Sequence, residues 1–298
     1  MSGLNCARKS CVAGRITETF ELFLQKMENS FSYNIALGYK QTSPSIQKVD
    51  GETFIEMDVC PQVGDAILDL GCGTGELSAY LAELVGPEGK VVGVDPDKER
   101  ILVAQQSYGD VKNLSFVEGS ASNFPGIGTE SYDIIFSNYV IHWIPDKQEV
   151  FRNMFKSVKD GGKIAAQYLE HLPLFLLTAF QLSPAENAEH RVSKKWLCED
   201  KGKMENYCSK VGFRIFKSYF TEGTPLVFQS IQSLLKWVSA TTHGVFDPKL
   251  VTEERLKRYY PYASRDGKPP FDLRAGFKQE STYIARLVAV KEPEQKPL

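Results

Sequence analysis

Residues 67 to 75, Ile67-Leu68-Asp69-Leu70-Gly71-Cys72-Gly73-Thr74-Gly75, restrict what this chain can fold into more than any other stretch. An apolar run ends in an acid and a loop with glycine at every second position. Leu77, Tyr80, Leu81 and Leu84 then follow at helical spacing. The order is strand, glycine turn, helix. In a parallel sheet such a turn sits at the carboxyl edge, where small ligands bind. Glycine suits it because it accepts φ > 0 and because a side chain would block close approach of backbone to ligand.

The same rhythm continues. Lys90-Val91-Val92-Gly93-Val94-Asp95 reads as a second strand, and Pro96 and Asp97 open the next helical stretch. Leu114–Gly119 and Tyr132–Ser137 read as a third and a fourth strand. Val150, Phe151, Met154, Phe155 and Val158 mark a helix between Asp146 and Lys159; Gly161-Gly162 is expected to end it, with Lys163–Gln167 beginning a fifth strand. Gly212–Phe216 and Thr282–Val290 supply two more. Strands alternating with helices at this spacing predict an α/β fold, a doubly wound, Rossmann-like sheet of seven strands with helices on both faces.

Three regions fall outside the alternation. Residues 1–60 carry a helical pattern through Phe20, Phe23, Leu24, Met27 and Phe31 and an aromatic turn with Tyr33 and Tyr39, and are expected to form an N-terminal helical lid. Residues 168–204 and 222–281 interrupt the core domain, 61–298, as insertions expected to build a helical substrate cap. Such a cap would exclude water from the reacting centre.

The formal charge is −2 with acids and bases interspersed, which argues against nucleic acid as substrate. Six cysteines (Cys6, Cys11, Cys60, Cys72, Cys198 and Cys208) lack C-x-x-C spacing and read as reduced thiols of a cytoplasmic protein. His171, His190 and His243 make no metal spacing. Arg8, Lys9 and Arg15 break any apolar leader, and the apolar stretch from Leu172 to Leu182 is too short for a bilayer, so no membrane role is expected.

A dinucleotide fold wants G-x-G-x-x-G, whereas this loop reads G-x-G-x-G with Asp69 two residues before it. It resembles the cofactor loop of class I S-adenosylmethionine-dependent methyltransferases, D/E-x-G-x-G-x-G, and the resemblance covers roughly residues 60 to 220 and the final strand. The resemblance implies the methyltransferase sheet, its last strand antiparallel, and S-adenosyl-L-methionine as cofactor. Asp69 would offset the cofactor's ammonium, with Gly71, Cys72, Gly73 and Gly75 beneath its amino-acid end. Asp95, about twenty residues on, can accept from both ribose hydroxyls, with Pro96 beside it. Ser120 stands where many relatives carry an acid for the adenine amino group, with Ala121 after it, and Asn138 is expected near the methyl end.

Asn138-Tyr139-Val140-Ile141-His142-Trp143 is similar to the H/Q-W pair of small-acid carboxyl methyltransferases of the trans-aconitate and juvenile hormone acid types. Trp237, Thr241 and Tyr260-Pro261…Asp266-Gly267 are reminiscent of the former type. The acceptor expected is a small molecule, with O-methylation of a carboxylate favoured, since a carboxylate needs no general base. Alternatives are N-methylation of a small amine, for which an acidic or aromatic pocket is expected, and a non-catalytic relative that binds the cofactor. His142 is a candidate for substrate contact or base, or a histidine wedged under the strand end; Trp143 is a candidate wall. Arg191, Tyr259 and Tyr260 are candidates for recognising an acid. Ser137-Asn138-Tyr139-Val140 lacks the prolines of nucleobase amino-methyltransferases, and no Pro-Cys nucleophile is present. The thiol set of arsenite methyltransferases cannot be assigned among these cysteines.

Overall fold

A computed structural model describes residues 32–42, 47–171, 197–224, 227–228, 231–242, 271–272 and 283–293. Helix α1 covers residues 32–42, and α2 (Gln47–Phe54) runs on as a π-helical turn, Ile55–Val59, that ends at Cys60 in the left-handed region. Seven strands follow: β1 Ala66–Leu70, β2 Lys90–Asp95, β3 Leu114–Glu118, β4 Tyr132–Asn138, β5 Val158–Tyr168, β6 Arg214–Glu222 and β7 Tyr283–Val290. Between them lie α3 (Glu76–Val85), α4 (Lys98–Tyr108), α5 (Lys147–Ser157), α6 (Lys201–Lys210) and α7 (Ile231–Thr241).

The strand order is β3-β2-β1-β4-β5-β7-β6, with β1 to β5 parallel and β7 antiparallel to both β5 and β6. Strand order reverses between β1 and β4, which opens a crevice at their carboxyl ends. The central strands are buried on both faces because helices cover both. Leu68, Leu70, Val92, Ile135 and Ile164 pack under α5 and α6. Their neighbours Ile67, Val91, Ile134 and Phe136 pack under α2, α3 and α4. This alternation at period two is what makes the strand sequences near-continuous apolar runs.

The helix starts are set by short acids. Asp97 accepts from the N–H groups of Glu99 and Arg100 at 3.0 and 3.3 Å, Asp146 from Glu149 at 2.8 Å, and Asp200 from Lys203 at 2.9 Å. The second of the expected helix starts therefore shifts slightly: Pro96 precedes the capping Asp97 and α4 begins at Lys98.

The end of α5 departs from expectation. The helix stops at Ser157, Val158 is already extended (φ −83°, ψ 139°), and Gly161-Gly162 lie inside a bulge of β5. Gly161 donates to the Lys291 carbonyl at 2.7 Å, and Lys291 donates back to Gly162 at 2.9 Å. Gly161 has φ +79°, and a Cβ on Gly162 would meet three atoms within 3 Å. The glycines close a strand on its antiparallel neighbour, a long-range role that their local pattern does not carry.

Candidate active site

The crevice at the β1/β4 reversal holds a cavity of about 500 Å³. That is within the size range of small-molecule sites. Its walls come from the ends of β1, β2 and β4, the loop after β3, and parts of α1, α2 and α7. A smaller pocket of about 30 Å³ adjoins it under the glycine loop.

The loop's glycines are required by contacts within the chain. Gly71, Gly73 and Gly75 all have positive φ, at 83°, 56° and 88°. A Cβ on Gly71 would sit 2.1 Å from Val140 of the loop after β4, and one on Gly75 would sit 2.6 Å from Phe116 of β3. Tyr39 of α1 lays its ring edge over Gly73, 3.1 Å from the position a Cβ would take. A loop, a strand and a helix thus close around this turn. Gly71 lines the cavity; Gly73 and Gly75 stand behind it.

Asp69 is buried and accepts from the Ser78 hydroxyl at 2.5 Å. Burial, opposed by that bond and reinforced by Asp95 and Glu76, pushes its carboxyl up to about 7. Asp69, Gly71, Cys72 and Asn138 all line the small pocket. Cys72 is buried, and burial with the nearby Asp95 and Asp69 charges holds its thiol well above the usual range.

Asp95 lines the large cavity while its oxygens accept from Gly73 N–H at 3.0 Å and Asp97 N–H at 2.9 Å. These bonds tie the glycine loop to the end of β2. Pro96, Ser120 and Ala121 line the same wall. Ser120 pairs with Asn123 in an isolated bridge that bends the post-β3 loop inward.

At the end of β4, Tyr139 has φ 60°, a left-handed conformation that is costly for an aromatic residue. Its N–H donates to the Gln167 carbonyl at 2.8 Å and its hydroxyl to Asp50 of α2 at 2.7 Å. Burial first, then the Asp50 charge, raise its phenol well above the ordinary value. His142 follows on a 3₁₀ turn, Ile141–Trp143, and is 2 % exposed. Its Nδ1 accepts from the Leu169 N–H at 3.3 Å, so the neutral ring carries its proton on Nε2. Burial, with Lys147 adding to it, lowers the imidazole to about 3. His142 and Trp143 both line the cavity.

Several lining residues escape a reading of local pattern. Gln47 and Asp50 stand three residues apart on α2, a helix with no apolar stripe to advertise its inner face. Gly51 beside them lets α2 approach, since a Cβ there would meet Leu77 at 2.4 Å. Arg100 of α4 stacks its guanidinium 4.0 Å from the Tyr39 ring and donates to the Ala240 carbonyl of α7 at 3.1 Å. The signal available was the pairing of polar residues with a small one on a short helix, which many surface helices share.

Behind the cavity, a buried polar chain links four elements. Asn138 accepts at Oδ1 from Gln167 (2.7 Å) and donates from Nδ2 to the Gln47 carbonyl (3.0 Å). Gln167 in turn accepts from Arg286 Nε of β7 at 2.7 Å. Arg286 also pairs with Asp58 of the π turn at 3.3 Å and donates to the Asp50 carbonyl at 3.3 Å. Asn138 is therefore held from both sides by the sheet and by α2.

The candidates Arg191, His190, His243, Tyr259 and Tyr260, with Cys6 and Cys11, lie outside the described residues, as do most of the two insertions. Among the described residues, no group of histidines, cysteines or acids could hold a metal ion. No described helix is long and apolar enough to cross a membrane.

A family model described as a methyltransferase domain matches residues 61–236. Human arsenite methyltransferase is 38% identical over 108 residues, 33% of this chain and 29% of that protein. The demethylmenaquinone methyltransferase of Oceanobacillus iheyensis is 36% identical over 115 residues, 38% of this chain and 47% of that protein. The matches thus span between about a third and a half of these relatives' lengths. Among solved structures, phosphoethanolamine N-methyltransferase 2 of Haemonchus contortus, in complex with S-adenosyl-L-methionine, superposes with a TM-score of 0.54 at 18% identity, covering 87% of this chain and 57% of that one. At that identity the likeness is one of fold.

Proposed function

This chain belongs to the methyltransferase-domain family, and on that premise we propose that it transfers the methyl group of S-adenosyl-L-methionine to a small molecule. The observation that carries the reading is the desolvated Asp69 carboxyl under the glycine loop. It accepts from a neutral serine hydroxyl, and its burial close to Asp95 and Glu76 leaves acidic charge beside the small pocket that a bound cation would offset. An ammonium group fits there, with Asn138 beside it. Asp95 suits ribose hydroxyls, and the Ser120–Ala121 loop suits the adenine edge. When bound, the cofactor supplies an electrophilic methyl carbon on a sulfonium.

The chain's own part is alignment and exclusion of water. A sulfonium donor would leave as a neutral thioether, so this chain would need no residue to protonate a leaving group. His142 is poorly suited to act as a base. Its Nδ1 is engaged, its Nε2 carries the proton, and burial keeps it neutral across the physiological range. The His142 and Trp143 rings are better suited to walling the acceptor. A carboxylate, the class resembling the trans-aconitate and juvenile hormone acid types, is served by the lack of a base. An amine that arrives neutral is served equally.

The thiol set of an arsenite-type reaction gains no support from the described cysteines. Cys72 and Cys208 are buried in separate core clusters on opposite faces of the sheet, and Cys60 is exposed. The free thiols suit a cytoplasmic setting. Calorimetric titration with S-adenosyl-L-methionine tests the proposal: saturable binding is expected, abolished in Asp69→Ala, and wild-type protein without binding would refute it.

A further inference from the structure

We propose that the acceptor is an amine, recognised by hydrogen-bond acceptors on α2: the Asp50 carboxylate and the Gln47 amide oxygen at the β4 end of the cavity. This deepens the methyl-transfer reading and rests on it. Gln47 and Asp50 are 8 % and 5 % exposed, stand about one helical turn apart, and both line the cavity. Gln47 Oε1 is buried and has no hydrogen-bond partner. An orphaned buried acceptor calls for a donor from a bound molecule, because a buried polar atom left without its hydrogen bond is costly.

Asp50 is built to present charge. Its Oδ2 accepts from the Tyr139 hydroxyl at 2.7 Å, and its Oδ1 from the Thr224 N–H at 2.8 Å and from the Thr224 hydroxyl. These donors to the carboxylate are neutral, and the Arg286 guanidinium behind α2 donates to the Asp50 main-chain carbonyl rather than to its carboxylate. The four lone-pair sites of a carboxylate are not all used by these three donors. Tyr139, Trp143 and Trp237 line the same cavity with aromatic surface, which favours cationic or partly cationic groups over anions.

The distribution of opposite charge argues the same way. Among the described residues lining the large cavity, Arg100 is the sole arginine or lysine. It stacks on Tyr39 beside Asp97, at the glycine-loop side, and donates to the Ala240 carbonyl. A carboxylate at the α2 end would face Asp50 with none of the described lining cations opposite it. The amine, arriving as its ammonium, would give one proton to water and donate its two remaining N–H groups to Gln47 and Asp50, leaving its lone pair to take the methyl carbon. The carbon–sulfur pair returns to sulfur, and the product departs as an N-methylated ammonium.

The test uses protein loaded with S-adenosylhomocysteine and matched probes sharing a skeleton: 2-phenylethylamine against 3-phenylpropionate, and hexylamine against heptanoate. Calorimetry is expected to show the amine of each pair binding at least tenfold more tightly. Asp50→Asn should remove that preference while S-adenosyl-L-methionine affinity stays within about threefold. The amide in that variant has one accepting oxygen for the Tyr139 and Thr224 donors together, so the double variant Asp50→Asn/Tyr139→Phe is measured alongside. Tyr139→Phe alone, which keeps the carboxylate, should keep the preference. Label transferred from methyl-labelled cofactor to the amines should survive base. Tighter binding of the carboxylates, equal or undetectable binding of both members, or a base-labile product would overturn the proposal. Absence of S-adenosylhomocysteine binding would instead strike the methyl-transfer reading itself.

Discussion

At the scale of single residues, two titrations in the site run in opposite directions for one cause, loss of water. Burial raises Asp69 to about 7 and lowers His142 to about 3, because each is pushed toward its neutral form. A carboxyl raised above its usual value, as Asp69 is, stabilises the unliganded fold below about pH 4, and that share is lost as pH rises through about 7. A bound cation prefers the ionised form. Affinity for S-adenosyl-L-methionine should therefore fall as pH drops below about 7, approaching tenfold per unit, and calorimetry from about pH 5.5 to 8.5 checks this. Asp69→Asn should flatten the profile. His142, neutral throughout that interval, should add no inflection to the pH dependence of kcat. An inflection near about 6.5, the ordinary histidine value, that His142→Asn abolished would contradict its assignment as a non-base. The place of Asp69 under the glycine loop was legible in sequence because it follows from a strand–glycine–helix run. The meaning of His142 was not legible: a local pattern cannot say which ring nitrogen meets the Leu169 amide or how much water reaches it.

Among elements, the clamp between α2 and the sheet concentrates the strongest test. Arg286 on β7 is 5 % exposed and reaches Gln167, Asp58 and the Asp50 carbonyl, and Asp58 also binds Lys217 and Tyr219 of β6. Replacing Arg286 by Met leaves a buried carboxylate and a buried amide short of a partner. Removing one side of such a pair costs about 3–5 kcal/mol. Urea unfolding should show that loss, and Arg286→Lys should recover only part of it, since an ammonium lacks the fork that spans three partners. Gly71→Ala is expected to be damaging for a local reason, since its φ of 83° is unfavourable for alanine and its Cβ would meet Val140. Its cofactor affinity should fall well before its helix content does, as read by circular dichroism against calorimetry. Pattern predicted the glycine loop and, to within two residues, the start of α4 because each is set by residues close to it in the chain. The same logic misassigned Gly161-Gly162 as a helix stop, because their partner, Lys291, lies at the far end of the chain.

For the whole molecule, ligand linkage should dominate stability. At a roughly hundredfold excess over Kd a ligand that binds only the folded state adds about 2.7 kcal/mol. For a domain of this size that is a rise in Tm of about 5 °C or more, measurable by differential scanning fluorimetry with S-adenosyl-L-methionine. The alternation of period-two and helical patterns was enough, from sequence, to determine a doubly wound α/β fold, its seven strands and the sheet edge at which the cavity opens. These features follow from which residues avoid water within one element, and each element declares that locally. Tertiary structure alone decided that α2 turns Gln47 and Asp50 inward, that Tyr39 and Arg100 stack over the loop, and that Arg286, bonded through Gln167 to Asn138, reaches the Asp50 carbonyl 236 residues earlier in the chain. Those contacts join residues whose own sequence neighbourhoods give no sign of them. Their physical basis is desolvation, and how much water a polar group loses is set by everything packed around it.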